Sequence, residues 1–155
     1  MNPFSLRAIL MAIIAAIAAS TLGLPGARAS ADAPTDDSVA AHRAVLDMAG
    51  AFTNDGFKLR DGAFTGTLKA GEASLIQVNL YAGNQYWFSV ATADPKTAVS
   101  VNLYDEAGKL VKTDPYTNAN RAAAGFAPDT SGPYYIRIAD PARTAATYCL
   151  IYSYK

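Results

Sequence analysis

The chain has 155 residues, of which 51% are hydrophobic and 17% charged, and its 13 basic side chains balance its 13 acidic ones. A chain without net charge has no long-range attraction for nucleic acid or for anionic lipid, so neither is an expected partner. The single cysteine, Cys149, cannot form an internal disulfide, and one histidine with one cysteine cannot complete a zinc site.

Residues 1–29 have the layout of a secretory signal peptide. Arg7 precedes an apolar run, AILMAIIAAIAA, and the sequence Ala27-Arg28-Ala29 follows the helix-breaking GLPG. The apolar run is too short to span a membrane comfortably, so we expect cleavage after Ala29, with Ala31 as the second choice. An uncleaved signal anchor is the alternative. Cleavage leaves a periplasmic or secreted product with a charge of about −2 and no inserted segment.

The mature chain is predicted to begin with a flexible polar segment and one helix. Residues 30–37 are polar and contain proline, which is typical of a flexible segment. The acidic and hydroxyl side chains at 36–38 suit a helix N-terminus, and an amphipathic helix is predicted over 38–53. Its stripe recurs at steps of three and four residues: Val39, His42, Val45, Leu46, Ala49 and Phe52.

From Phe57 the hydrophobic period changes from 3.6 residues to two, which predicts strands. About seven or eight short runs, separated by Gly, Asp and Pro turns, predict an antiparallel β-sandwich over residues 57–155. The fold class is therefore all-β, preceded by the single helix.

Two hairpins are predicted within the sandwich. The first pairs Leu80 with Tyr86 across the loop Ala82-Gly83-Asn84, because that register keeps the apolar side chains of both strands on one face. The second turns at Glu106-Ala107-Gly108 and returns through Leu110-Val111.

Strand parity divides the aromatic side chains into two groups. The inward group is predicted to fill the core and comprises Tyr86, Phe88, Tyr134, Tyr148 and Tyr152. The outward aromatics have two interpretations. In the first interpretation they belong to an open sugar- or peptide-binding face made of Asn79, Trp87, Tyr104, Tyr135 and Arg137. Alternatively, the helix covers a second small core of Leu75, Trp87, Cys149 and Ile151.

Four motifs occur in a familiar order: GTLKAGEASLIQVNLYAGNQYWFSV, VNLYDEAGKLV, SGPYYIRI and ATYCLIY. Over about residues 66–154 they resemble the bacterial pre-peptidase C-terminal domain family. The resemblance implies a jelly-roll-like β-sandwich of the kind appended to secreted proteases. Relatives that bind calcium carry acidic residues at the position of Thr97-Ala98-Val99-Ser100, which here has no carboxylate, so no metal and no cofactor are expected.

No catalytic residue is predicted. His42 lies on the helix stripe, about a hundred residues from Cys149, and no nucleophile-elbow or phosphate-loop motif occurs. The leading hypothesis is a non-catalytic exported module that binds an envelope or extracellular protein or polysaccharide. The alternative is an accessory or structural envelope protein that associates with a partner subunit, with Cys149 either buried or linking two chains. A small hydrolase that uses His42 ranks third.

Overall fold

Two antiparallel β-sheets face each other in the computed structural model, which describes residues 33–155. The predicted signal peptide lies outside the described residues. One helix, α1 (Asp36–Thr53), comes first. The strands are β1 (Lys58–Leu59), β2 (Phe64–Leu68), β3 (Ala73–Leu80), β4 (Tyr86–Thr92), β5 (Ser100–Tyr104), β6 (Asp114–Asn118), β7 (Arg121–Phe126), β8 (Gly132–Ala139) and β9 (Ala146–Tyr154). None of the helical residues among 33–155 forms a stretch long and apolar enough to cross a membrane.

The larger sheet has six strands in the order β1-β9-β4-β7-β6, and β2 pairs with the first half of β9. The smaller sheet has three strands in the order β3-β8-β5. All of these pairings are antiparallel, and the predicted all-β sandwich is confirmed.

The first predicted hairpin is wrong, because the chain changes sheets after β3. Leu80 pairs with Gly132 in the three-stranded sheet, whereas Tyr86 pairs with Phe126 and Tyr154 in the six-stranded sheet. Leu80 and Tyr86 do both point into the core, as their parity predicts, but they enter it from opposite sides. Alternation fixes which way a side chain faces and leaves the choice of partner strand open.

The second predicted hairpin forms over a short length. The Asp105 N–H donates to the Lys109 carbonyl at 3.0 Å, and the Gly108 N–H donates to the Asp105 carbonyl at 2.9 Å. A single bridge joins Tyr104 to Leu110, after which the chain leaves for the six-stranded sheet. The turn is therefore where it was predicted, while its return arm is too short to be a strand.

The space between the two sheets is filled by the predicted inward side chains. Phe88, Ile136 and Leu150 are completely buried there. The five predicted core aromatics are also buried: Tyr86, Phe88, Tyr134, Tyr148 and Tyr152. The Ser74 and Tyr148 hydroxyls share a hydrogen bond of 2.6 Å, which joins the two sheets across this core.

Helix α1 covers the outer face of the six-stranded sheet and creates a second core. Its buried residues are Ala41, Val45, Met48 and Ala49, which pack with Ala91, Ala123, Cys149 and Ile151 of the sheet. Phe52 stacks on Trp87 with ring centroids 4.4 Å apart and planes at 11°. The helix therefore covers Trp87, as the second of the two interpretations predicts.

The predicted helix stripe needs correction. Val39, His42 and Leu46 are exposed, and the buried stripe instead includes Ala41 and Met48. The small side chains of Ala91 and Ala123 let the helix approach the sheet closely, so alanines on the helix are buried as well as its larger residues. Leu75 does not join this second core, because β3 belongs to the other sheet and leaves Leu75 63% exposed.

The helix cover is tested by replacing Phe52. Phe52→Ala removes one ring of the stacked pair, so we expect a loss of about 1–3 kcal/mol in the free energy of unfolding, below the value for a fully buried phenylalanine. Chemical denaturation measures this loss. Trp87 emission should move to longer wavelength, and acrylamide should quench it more strongly. Val39→Ala, on the exposed side of the same helix, is the control and should leave both quantities unchanged; an unshifted Trp87 spectrum in Phe52→Ala would contradict the packing described.

Candidate binding face

The outer face of the three-stranded sheet is the candidate site, because α1 packs on the other sheet. We call this surface the tyrosine face. Its residues are Leu75, Gln77, Asn79, Asn102, Tyr104, Pro133, Tyr135 and Arg137. They have outward parity, opposite to the buried Val78, Ile136 and Leu103 on the same strands.

Strand register arranges these side chains in rows that run across the sheet. The central row is Gln77 on β3, Tyr135 on β8 and Tyr104 on β5. The next row is Leu75, Arg137 and Asn102. Directly opposite residues of antiparallel strands have Cβ atoms about 4.5–5.5 Å apart, so Tyr135 and Tyr104 are immediate neighbours.

The structure brings four of the five predicted binding residues together. Asn79, Tyr104, Tyr135 and Arg137 share the tyrosine face. Trp87 does not join them, because β4 lies in the six-stranded sheet and directs Trp87 beneath the helix. The predicted hairpin placed Trp87 opposite Asn79, and the partner of Asn79 is in fact Pro133.

Two polar residues of the face were missed in the sequence. Gln77 and Asn102 have outward parity, which was visible in the alternation of their strands. Their position beside Tyr135 and Arg137 depends on the pairing of β8 with both β3 and β5. Paired residues of β5 and β8 are more than thirty positions apart in the sequence, and those of β3 and β8 more than fifty. A local sequence pattern cannot predict pairing over such distances.

Arg137 gives the tyrosine face an uncompensated positive charge. Arg137 is a half-buried residue on the central strand, and no carboxylate of residues 33–155 lies within ion-pair distance of its guanidinium. The ion pair found in this part of the chain joins Arg121 to Asp47 at 3.7 Å. Asp105, at the end of β5, is engaged by its own turn, where its carboxylate accepts from the Lys109 N–H at 2.8 Å. The face is therefore neutral apart from one cation.

A cleft of about 450 Å³ adjoins the tyrosine face along the free edge of β3, and we call it the β3 cleft. Gln77 and Asn79 line it, so the two surfaces are continuous. Phe64 and Tyr81, which are 39% and 60% exposed, add apolar surface. The cleft is also lined by Arg60, whose guanidinium lies 5.5 Å from the centroid of the Tyr152 ring, and by Asp61.

Asp140 closes the turn by which the central strand of the face leaves for β9. Its carboxylate accepts from the backbone N–H groups of Ala142 and Thr144, each at 2.7 Å, and from the Thr144 hydroxyl. The Thr144 hydroxyl foremost, with these N–H groups, lowers the pKa of Asp140 below its ordinary value, against the opposing effect of desolvation. Ionised Asp140 thus holds the end of β8 in place.

Titratable groups outside the tyrosine face bear on two other kinds of chemistry, a metal site and a pair of His42 with Cys149. A cavity of about 680 Å³ between the β5–β6 segment and the end of β7 is lined by both carboxylates and ammonium groups: Asp105, Lys109, Lys112, Asp114 and Asp129. Within residues 33–155 no group of three or more His, Cys, Asp and Glu side chains is placed to hold a metal ion. His42 is exposed while Cys149 is buried beneath the helix, so the two are not brought together.

Comparisons with known proteins concern the fold. No family model matches the chain, and no curated protein matches it. Among solved structures the chain is similar to the pre-peptidase C-terminal domain of collagenase from Bacillus anthracis. The identity is 20% and the TM-score 0.48, over 61% of this chain and 88% of that chain.

The role of Asp140 predicts a pH dependence of stability. Because its folded pKa is depressed, its contribution is present above the unfolded pKa of about 3.9 and is lost as pH falls through the folded pKa. Asp140→Asn should therefore lower the melting temperature at pH 7, and the difference from the unaltered protein should shrink below pH 4. Glu106→Gln changes an exposed turn carboxylate and is the control. A constant difference between pH 7 and pH 2 would refute the role assigned to the Asp140 carboxylate.

Proposed function

We propose that this protein is a non-catalytic binding module that holds a polymer on its tyrosine face. The observation that carries the proposal is the pair Tyr104 and Tyr135, side by side on adjacent strands and flanked by the amides of Gln77, Asn79 and Asn102. The predicted signal peptide adds that it works in the periplasm or outside the cell.

The chemistry of the face suits binding rather than catalysis. A tyrosine ring offers an apolar surface for stacking and a hydroxyl for hydrogen bonding, and amide groups both donate and accept. None of the face residues is a histidine, cysteine, serine or carboxylate, the groups that most often act as nucleophiles or general bases. Tyr104 and Tyr135 have no histidine, lysine or carboxylate among the face residues to activate them, which favours recognition as the function.

The tyrosine face is rigid, which favours binding. Tyr135 and Tyr104 are mounted on strands whose opposite side is buried, with Ile136 and Leu103 next to them in the core. Little backbone freedom remains to be lost when a ligand binds, which lowers the entropic cost of association.

The shape of the face favours a polymer over a small molecule. Small ligands are usually enclosed by concave sites that bury most of their surface. The tyrosine face is the outside of a three-stranded sheet and continues into the β3 cleft through Gln77 and Asn79. A long chain can make contacts along this whole surface, each of them weak.

The alternative is an accessory protein that associates with a partner subunit, and the position of the thiol does not support a Cys149 disulfide as the link between the two chains. Cys149 is completely buried beneath α1, and the Thr65 hydroxyl lies 3.7 Å from its sulfur as a donor. Burial raises the pKa of the Cys149 thiol, which suppresses the reactive thiolate. A disulfide between chains requires this second core to open first.

The tyrosine face is tested by affinity electrophoresis through gels containing soluble polysaccharides. The protein should be retarded by at least one polymer, and Tyr135→Ala and Tyr104→Ala should each weaken that affinity about tenfold, since aromatic anchors carry most of the energy of such contacts. Tyr116→Ala, an exposed tyrosine on β6 of the other sheet, is the matched control. Unchanged melting temperatures show that the variants fold. Retention unaffected by both face variants, or no retention by any polymer, would overturn the proposal.

Burial of Cys149 predicts a slow thiol. A thiol-reactive chromogenic disulfide reagent should modify the native protein at least a hundredfold more slowly than the protein unfolded in denaturant, because the reagent must await opening of the helix. Non-reducing gels should show monomer. A dimer band that disappears on reduction would instead support the cross-linked alternative.

A further inference from the structure

We infer that the polymer is an acidic polysaccharide, a linear chain of sugars bearing carboxylates, with one carboxylate held by Arg137. This inference rests on the proposed function and adds to it the class of the ligand and the path that the chain takes.

The charge comes from Arg137. Arg137 is half-buried on the central strand, and its guanidinium has no ion-pair partner among residues 33–155, so it is free to bind an anion from outside this part of the chain. Its planar donor fork matches a carboxylate with two parallel hydrogen bonds. The neighbours in its row, Leu75 and Asn102, are uncharged and so do not repel an acidic group.

The remaining side chains favour a sugar over an acidic peptide. Peptides bind to sheets chiefly by adding a strand at an edge, where backbone groups are free, and by placing side chains in pockets. Tyr135 and Arg137 lie instead on the central strand β8, whose backbone groups already pair with β3 and β5. The tyrosine face offers two phenol rings and the amides of Gln77, Asn79 and Asn102, which together stack on sugar rings and pair with hydroxyl groups.

The path of the polymer follows the central row. Gln77, Tyr135 and Tyr104 cross the three strands, and neighbouring strands are about 4.8 Å apart, so the row spans about 10 Å. Gln77 also lines the β3 cleft, so a chain that leaves Tyr135 past Gln77 meets Phe64 and Tyr81. Arg60 and Asp61 give the cleft opposite charges, and the preference for an acid therefore depends on Arg137.

The class of ligand is tested with polysaccharides matched in backbone. Polygalacturonate, alginate and hyaluronate are compared with their methyl-esterified forms by affinity electrophoresis at low salt. We expect at least one acidic polymer to bind about tenfold more tightly than its ester. Arg137→Gln should reduce that affinity to the level of the ester and leave the affinity for the ester unchanged. Arg43→Gln removes an exposed arginine from α1 and is the charge-matched control.

The outcomes separate this inference from the proposed function. Neutral polymers could bind as tightly as acidic ones, with the affinity lowered by Tyr135→Ala and unchanged by Arg137→Gln. That result would overturn the inference of an acidic ligand and leave the proposed binding face intact. If polyglutamate binds through Arg137 as tightly as the uronate polymers do, the inference that the ligand is a sugar is wrong. If no polymer retards the protein, both the proposed function and this inference are overturned.

The path is tested with oligogalacturonides of increasing length, or with oligomers of whichever uronate polymer binds. Tyr81→Ala and Phe64→Ala should leave the affinity for short oligomers unchanged and weaken that for long ones several-fold, since only a long chain reaches the β3 cleft. Equal effects at all lengths, or none, would overturn the path. Tyr116→Ala again serves as the control.

Discussion

Burial of one apolar layer between two sheets is the constraint on which the rest of the structure depends. Phe88, Ile136 and Leu150 exclude water from this layer, and the side chains between them on each strand must then point outward. The tyrosine face exists because Tyr135 and Tyr104 alternate with core residues on strands that cannot rotate. The hydrogen bond between Ser74 and Tyr148 adds a polar contact between the sheets without leaving either hydroxyl unpaired.

The helix makes the two outer faces different. One sheet presents small and apolar residues such as Ala91 and Ala123, and α1 removes them from water. The other presents phenols, amides and a guanidinium, which remain compatible with solvent and available to a ligand. Two hydroxyls beneath the helix, those of Ser89 and Ser153, find no hydrogen-bond partner in the part of the chain described here, which reduces the net stabilisation that this cover provides.

Strand parity was predictable from the sequence because it is local. It correctly placed Tyr86 and Tyr134 in the core, and it gave Trp87 its outward direction. The partner strands were not predictable in the same way, since β3 could bury the same residues against β4 or against β8. Trp87 was therefore assigned to the wrong sheet although its direction was right, and Gln77 was overlooked although its parity was visible. On the helix, Ala41 and Met48 were missed because their burial depends on how closely the sheet allows α1 to approach.

Strand β9 sets the kinetic character of the fold. It pairs with β1, β2 and β4, so that Phe64 meets Leu150 and Thr65 meets Cys149 across most of the described chain. Forming such pairs requires the closure of very long loops before any contact energy is gained, which makes folding slow, on a scale of milliseconds to seconds. Before β9 has paired, β4 and β2 each lack a neighbouring strand. The half-formed sheet then exposes strand edges through which chains can aggregate.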